Sequence, residues 1–175
     1  CLMHQVRLYS TLSLFGALCC ATLAFGCKDR SVGQGAGPAR PPYVFDWARI
    51  ADSSSTALNG QFFNVAERYY NADNGGNTGF NYWPQAHALD VLIDAYVRTG
   101  DARYRSLMNE WFVGVPVKNG GSFLNEYYDD MLWNALAMLR AYEATQDEKW
   151  LNATLTVWED IKTGWNSTMG GGLAW

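Results

Sequence analysis

A chain of 175 residues that is 49% hydrophobic and 15% aromatic is too apolar to stay disordered and long enough for one domain with its own core. Its 13 basic and 17 acidic residues give a net charge of -4 with no basic stripe, which excludes a nucleic-acid partner held through its phosphates. Eight Trp, ten Tyr and eight Phe exceed what such a core needs, so some rings are expected at a surface where a neutral polar ligand such as a sugar can stack.

All four cysteines (Cys1, Cys19, Cys20, Cys27) precede the expected folded part, so no disulfide framework is expected there. Between Arg7 and Lys28 runs an uncharged stretch, Leu8 to Gly26, that reads as a secretory leader with Met3 as its start. The leader ends Leu23-Ala-Phe-Gly-Cys27, which resembles a bacterial lipobox. That resemblance implies lipidation of Cys27 and an exported protein anchored to the membrane at the cell envelope or surface. A plain cleaved signal and, at about 19 residues, a transmembrane anchor are the other readings of the same stretch. From residue 28 to 42 the composition shifts to Gly, Pro, Ser and Arg, the signature of a tether, and folding is expected from Tyr43 onward.

The remaining periodicity is helical. A first amphipathic helix is expected near Ser54 to Tyr70, with Leu58, Phe62, Val65, Ala66 and Tyr69 on its stripe. A second, opened by Pro84 and stopped by Gly100, is apolar almost all round and should be buried. The third, capped by Asp101, places Tyr104, Leu107, Met108, Trp111 and Phe112 on one face. The fourth, from about Asp129 to Thr145, is again apolar nearly all round. The fifth, capped by Asp147, returns to one-sided burial through Trp150, Ala153, Val157, Trp158 and Ile161.

Outer and inner helices therefore alternate, and Ala95-Tyr-Val-Arg-Thr-Gly-Asp101 recurs as Ala141-Tyr-Glu-Ala-Thr-Gln-Asp147. Each repeat is one helical hairpin. Hairpins with a buried inner and a half-buried outer helix describe an all-α toroid, although a plain solenoid has the same local pattern. About five helices cannot close such a ring, and Met169-Gly-Gly-Gly-Leu-Ala-Trp175 reads as a loop leading onward. Residues 43–175 are accordingly expected to be the N-terminal part of a toroid that continues through about seven more helices.

The segment Asn125-Glu-Tyr-Tyr-Asp-Asp-Met-Leu-Trp133 lies where a loop enters the fourth helix. Glycosidic cleavage through a covalent intermediate needs two carboxyl groups about 5 Å apart, one attacking the anomeric carbon and one protonating the departing oxygen. Two short Asp side chains at a helix start can meet that need, and their proximity raises one pKa so that one group keeps its proton. Asp129 and Asp130 can equally be helix-terminal residues that satisfy free amides and the dipole. Tyr127, Tyr128 and Trp133 surround the pair as sugar platforms would, while Trp133 can also be core.

Tyr128-Asp-Asp-Met-Leu-Trp-Asn-Ala-Leu-Ala-Met-Leu-Arg-Ala-Tyr142, with Thr145, Asp147, Trp150 and Leu151, resembles the signature helix pair of glycoside hydrolase family 76. Trp83-Pro-Gln-Ala-His-Ala-Leu-Asp-Val-Leu-Ile-Asp-Ala-Tyr96 and Gly170-Gly-Gly-Leu-Ala-Trp175 are similar to further motifs of that family, in its order. The family pattern usually has a second aromatic residue where this chain has Asn134. The resemblance implies an (α/α)6 barrel and endo-acting hydrolysis of α-1,6-mannan with retention, Asp129 as nucleophile and Asp130 as acid/base. It also places Trp83, Asn125, Tyr127, Tyr128, Trp133, Gly171 and Gly172 at the substrate.

Neither a metal nor a cofactor is expected. His87, in an apolar helix, reads as a hydrogen-bonded core residue rather than a ligand, and Asn74-Gly-Gly-Asn77 is a turn with no phosphate-binding pattern. Asp94 and Arg98 read as an ordinary i, i+4 pair on the second helix. Two other functions share the leader, helices and rings: a non-catalytic glycan-binding lipoprotein, and a different toroid enzyme such as an unsaturated glucuronyl hydrolase or a sugar epimerase.

Overall fold

The computed structural model describes residues 43–173; the leader, the tether, Cys27 and the terminal Ala174 and Trp175 lie outside the described residues. Asp46 opens the first helix, α1 (Trp47–Phe62), by accepting the Arg49 amide at 3.0 Å. The expected span, Ser54 to Tyr70, is displaced at both ends. Asn64 ends the helical run, because its carbonyl takes the Arg68 amide at 2.6 Å and its Oδ1 the Glu67 amide at 3.0 Å. Local side-chain bonding of this kind competes with helix continuation. Arg68 turns left-handed, and β1 (Phe63–Asn64) pairs antiparallel with β2 (Tyr69–Tyr70). Tyr69 and Tyr70 are thus buried from a hairpin, while Val65, on the expected apolar stripe, is 80% exposed.

The next four helices follow their sequence signals closely. They are α2 (Tyr82–Thr99), α3 (Ala102–Lys118), α4 (Tyr128–Thr145) and α5 (Glu148–Ile161). Pro84 sits in the first turn of α2, where no amide bond is lost, and Gly100 closes that helix with φ 68°. Asp101 and Asp147 cap α3 and α5 through the amides of Arg103 and Lys149.

α2 packs on α1, α3 and α4, and α4 packs on α2 and α5. α2 and α4 lie side by side and parallel: Asn134 reaches the Tyr82 carbonyl near their N-terminal ends, and Arg140 pairs with Asp90 and Asp94 further along. This is the wall of an all-α toroid, with α2 and α4 inside and α1, α3 and α5 outside. The inner helices are nevertheless not buried all round, since Trp83 and Trp133 stay 44% and 48% exposed on the open side. The expected Asp94–Arg98 pair does not form. Arg98 bridges instead to Asp52 of α1 at 2.5 Å, leaving Asp94 to Arg140.

Part of the aromatic surplus is core. Trp111 of α3 and Trp150 of α5 are completely buried with ring centres 6.2 Å apart, and Phe112 meets Trp150 edge-on at 4.8 Å. The Trp111 indole donates to the Gln85 carbonyl at 3.0 Å. Gln85, itself buried, clasps both the amide and the carbonyl of Tyr70 at 2.9 and 2.8 Å, which fixes the hairpin to α2. Beyond α5, β3 (Trp165–Asn166) pairs with β4 (Gly172–Leu173). Among the described residues no helix is long and apolar enough to cross a membrane.

The hairpin also rests on α3 at Gly114, where a Cβ would lie 2.3 Å from the Arg68 carbonyl oxygen. Glycine to alanine inside a helix ordinarily stabilises by about 1 kcal/mol. Here Gly114→Ala should instead lower the melting temperature by roughly 5 °C or more, because the overlap involves backbone that must move. A thermal melt at or above that of the parent would show that the hairpin does not rest on α3 in this way.

Candidate active site

The loop entering α4 is shaped by two asparagines. Asn119 donates to the carbonyls of Ser122 and Leu124 at 2.7 and 2.9 Å and accepts from the Asn125 amide at 2.7 Å. Asn125 in turn accepts the Tyr127 amide at 3.0 Å. Both asparagines thereby hold the loop so that Tyr127 ends it at the helix cap. Tyr127 is the cap residue of α4, so Asp129 and Asp130 fall inside the first turn and neither is the cap.

The first turns of α2 and α4 enclose an open cleft of about 440 Å³ lined by Trp83, Tyr127, Asp129, Asp130 and Trp133. Two neighbouring carboxyls thus share a recess with three rings. Behind them His87 lies between the two indoles, 5.4 Å from the Trp83 ring and 5.2 Å from Trp133. Burial, and secondarily the charge of Asp129, hold the Asp130 carboxyl above the ordinary carboxylate range. The Tyr82 phenol behind the cleft is pushed upward by its own burial and then by Asp130. The recess therefore sets a carboxyl with a raised pKa beside a second carboxyl, a pairing suited to acid-assisted displacement at a sugar carbon. Among the described residues no group of three or more His, Cys, Asp or Glu is placed to hold a metal ion.

Residues 46–175 match glycosyl hydrolase family 76. The chain belongs to that family. The fold of this family 76 chain is similar to the α-1,6-mannanase GH76A of Salegentibacter sp. HEL1_6, with 39% identity and a TM-score of 0.72 over 74% of this chain and 38% of that one. It is equally similar to an inactive variant of that enzyme with two consecutive aspartates replaced by alanine, in complex with α-1,6-mannotetrose (37% identity, TM-score 0.72, 75% and 38% covered). A protein from Listeria innocua is 35% identical with a TM-score of 0.66, over 75% of this chain and 40% of that one. The family 76 chain thus spans 38% to 40% of these proteins. No curated protein sequence matches it.

The expected site residues of this family 76 chain do not all meet. Trp83, Tyr127, Trp133 and the two aspartates share the cleft, whereas Tyr128 turns toward the segment after α5. There its ring lies 2.6 Å from where a Cβ on Gly164 would stand, and its hydroxyl is 3.4 Å from that of Thr163. Asn125 spends its polar atoms on the loop, and Gly171 and Gly172 lie in the β3–β4 hairpin, Gly171 against the Trp165 ring.

His87 is exposed beside the cleft tryptophans and is not the buried core residue expected from an apolar helix. Its position four residues after Trp83, on the same face, was the available signal. Asn134 and Gln85, polar residues inside apolar helices, were the signals for the two buried amides.

Replacing Asp129 separates the two causes acting on Asp130. In Asp129→Asn the like charge is gone, so the Asp130 titration midpoint, followed by carboxyl carbon-13 NMR, should fall. It should remain above the ordinary carboxylate range, because burial is the larger cause and persists. An unchanged midpoint would mean that the carboxyls do not sense each other.

Proposed function

We propose that the protein hydrolyses α-1,6-mannosidic linkages with retention of anomeric configuration. The observation that carries this reading is the adjacency of Asp129 and Asp130 in a cleft walled by Trp83, Tyr127 and Trp133. It is supported by the Salegentibacter mannanase, whose variant lacking two consecutive aspartates is inactive and binds α-1,6-mannotetrose.

In the first step an Asp129 oxygen attacks the anomeric carbon while the bond to the leaving oxygen breaks. Asp130 transfers its proton to that oxygen, and a glycosyl ester on Asp129 results. In the second step Asp130, now a carboxylate, takes a proton from water as the water oxygen attacks the same carbon and releases Asp129. The raised pKa suits Asp130 to the acid role, because it must enter the cycle protonated. The alkaline limb of kcat/KM therefore lies at higher pH than an ordinary carboxyl would give. The exposed indoles supply apolar faces for sugar rings.

Asp129→Asn and Asp130→Asn should each reduce turnover of α-1,6-mannan by at least about a hundredfold with helical content unchanged. The two losses should differ in kind. Azide should rescue the Asp129 variant with an inverted product, while the Asp130 variant should still react with an activated aryl mannoside whose leaving group needs no proton. Near-parental rates in either variant would reduce the pair to helix-terminal residues and favour a non-catalytic glycan-binding protein.

We also propose that the protein is exported and lipidated at Cys27, a reading supported by the uncharged stretch Leu8 to Gly26 and the residues that end it. Mature protein should partition into detergent, and Cys27→Ser should abolish this. Parental protein that is fully soluble outside the cell with a different N-terminus would contradict the anchor.

A further inference from the structure

Asn134 lies one turn inside α4 and is completely buried. Its Nδ2 donates in two directions, to the Asp130 carbonyl at 2.9 Å and to the Tyr82 carbonyl at 3.2 Å. Tyr82 is the first residue of α2, immediately before Trp83, and its hydroxyl donates to the Phe123 carbonyl at 2.7 Å in the loop that leads into α4. One amide therefore joins the turn that carries the two aspartates to the turn that carries Trp83. Through Tyr82 it also reaches the loop that presents Tyr127. All the elements that wall the cleft are referenced to this group.

The same amide is costly where it stands. Its Oδ1 is buried with no hydrogen-bond partner, and an acceptor stripped of water without replacement destabilises the fold. A leucine, which has the same branched outline though a larger volume, would avoid that cost and match the apolar residues around it on α4. What leucine cannot do is donate to the two carbonyls. The donor side of Asn134 is thus what distinguishes it from an apolar filler.

We propose that Asn134 is a positioning residue of the cleft, holding the first turn of α4, with Asp129 and Asp130, at a fixed spacing from the first turn of α2, with Trp83. It touches no substrate itself and acts through the backbone of Asp130 and Tyr82. The kinetic part of the proposal rests on the hydrolase reading; the structural part does not.

The test compares Asn134→Leu and Asn134→Gln with the parent in the intact protein, by circular dichroism, Asp130 carboxyl titration and kinetics on α-1,6-mannotetraose. With the tie removed, the first turns of α2 and α4 are free to part and admit water to Asp130. The Leu variant should keep its helical content while the Asp130 midpoint drops toward the ordinary carboxylate range. Its kcat should fall about tenfold with KM within about twofold, the mark of misplaced groups rather than lost binding. The Gln variant, which retains a donor, should recover part of both effects.

A Leu variant with parental midpoint and parental kcat would overturn the proposal, as would a loss confined to KM. Should the Leu variant not fold, Asn134→Ala, which is smaller and has no side-chain donor, takes its place under the same criteria. If the parent itself does not cleave the oligosaccharide, the hydrolase reading fails, while the Asp130 midpoint still decides the role of Asn134.

Discussion

The parallel packing of α2 against α4 is the constraint on which the rest depends. Because the two helices run side by side in the same direction, their first turns arrive at one end, and residues far apart in sequence share a recess there. The alignment is held at intervals: the Asn134 amide near the start, the Trp83, His87 and Trp133 rings next to it, and Arg140 between Asp90 and Asp94 farther along. On these two helices Ala86, Ala135, Ala137 and Ala141 are all at most 5% exposed. The outer helices and the β1–β2 hairpin brace this pair from behind, through Gln85 and the Trp111–Trp150 cluster.

The cleft works against the stability of its own surroundings. It leaves two large indoles half in solvent, puts two carboxyls together and buries an amide that is only half satisfied. Each of these is unfavourable for a fold judged by packing alone. Their coincidence at one recess, in a chain whose α3 and α5 follow their local signals, is what a site built for chemistry looks like.

Much of this was legible in the sequence, for physical reasons that differ by residue. Asp101, Asp147 and Gly100 stood at helix boundaries where capping chemistry is strong and local, so the ends of α2, α3 and α5 could be read directly. Asp129 and Asp130 were visible as a charged pair at the mouth of an apolar helix. The α1 hairpin was not legible, because the decisive event is one asparagine bonding to its own downstream backbone while the apolar residues keep helical spacing. Periodicity also could not divide the rings. Tyr127 and Tyr128 are neighbours, yet the turn at the start of α4 sends one to the cleft and the other to Gly164. In the same way an apolar helix is not a buried helix when one side faces a cavity, which is why His87 was read as core.

The most direct test of the central claim is covalent trapping. A mannosyl donor with an activated leaving group and fluorine at C2 should form the glycosyl ester and release it slowly, and peptide mapping by mass spectrometry then locates the sugar. A single adduct on Asp129, absent after Asp129→Asn, is the expected result. An adduct on another residue, or no adduct from protein that cleaves α-1,6-mannan, would contradict the assignment of this cleft as a retaining glycosidase centre.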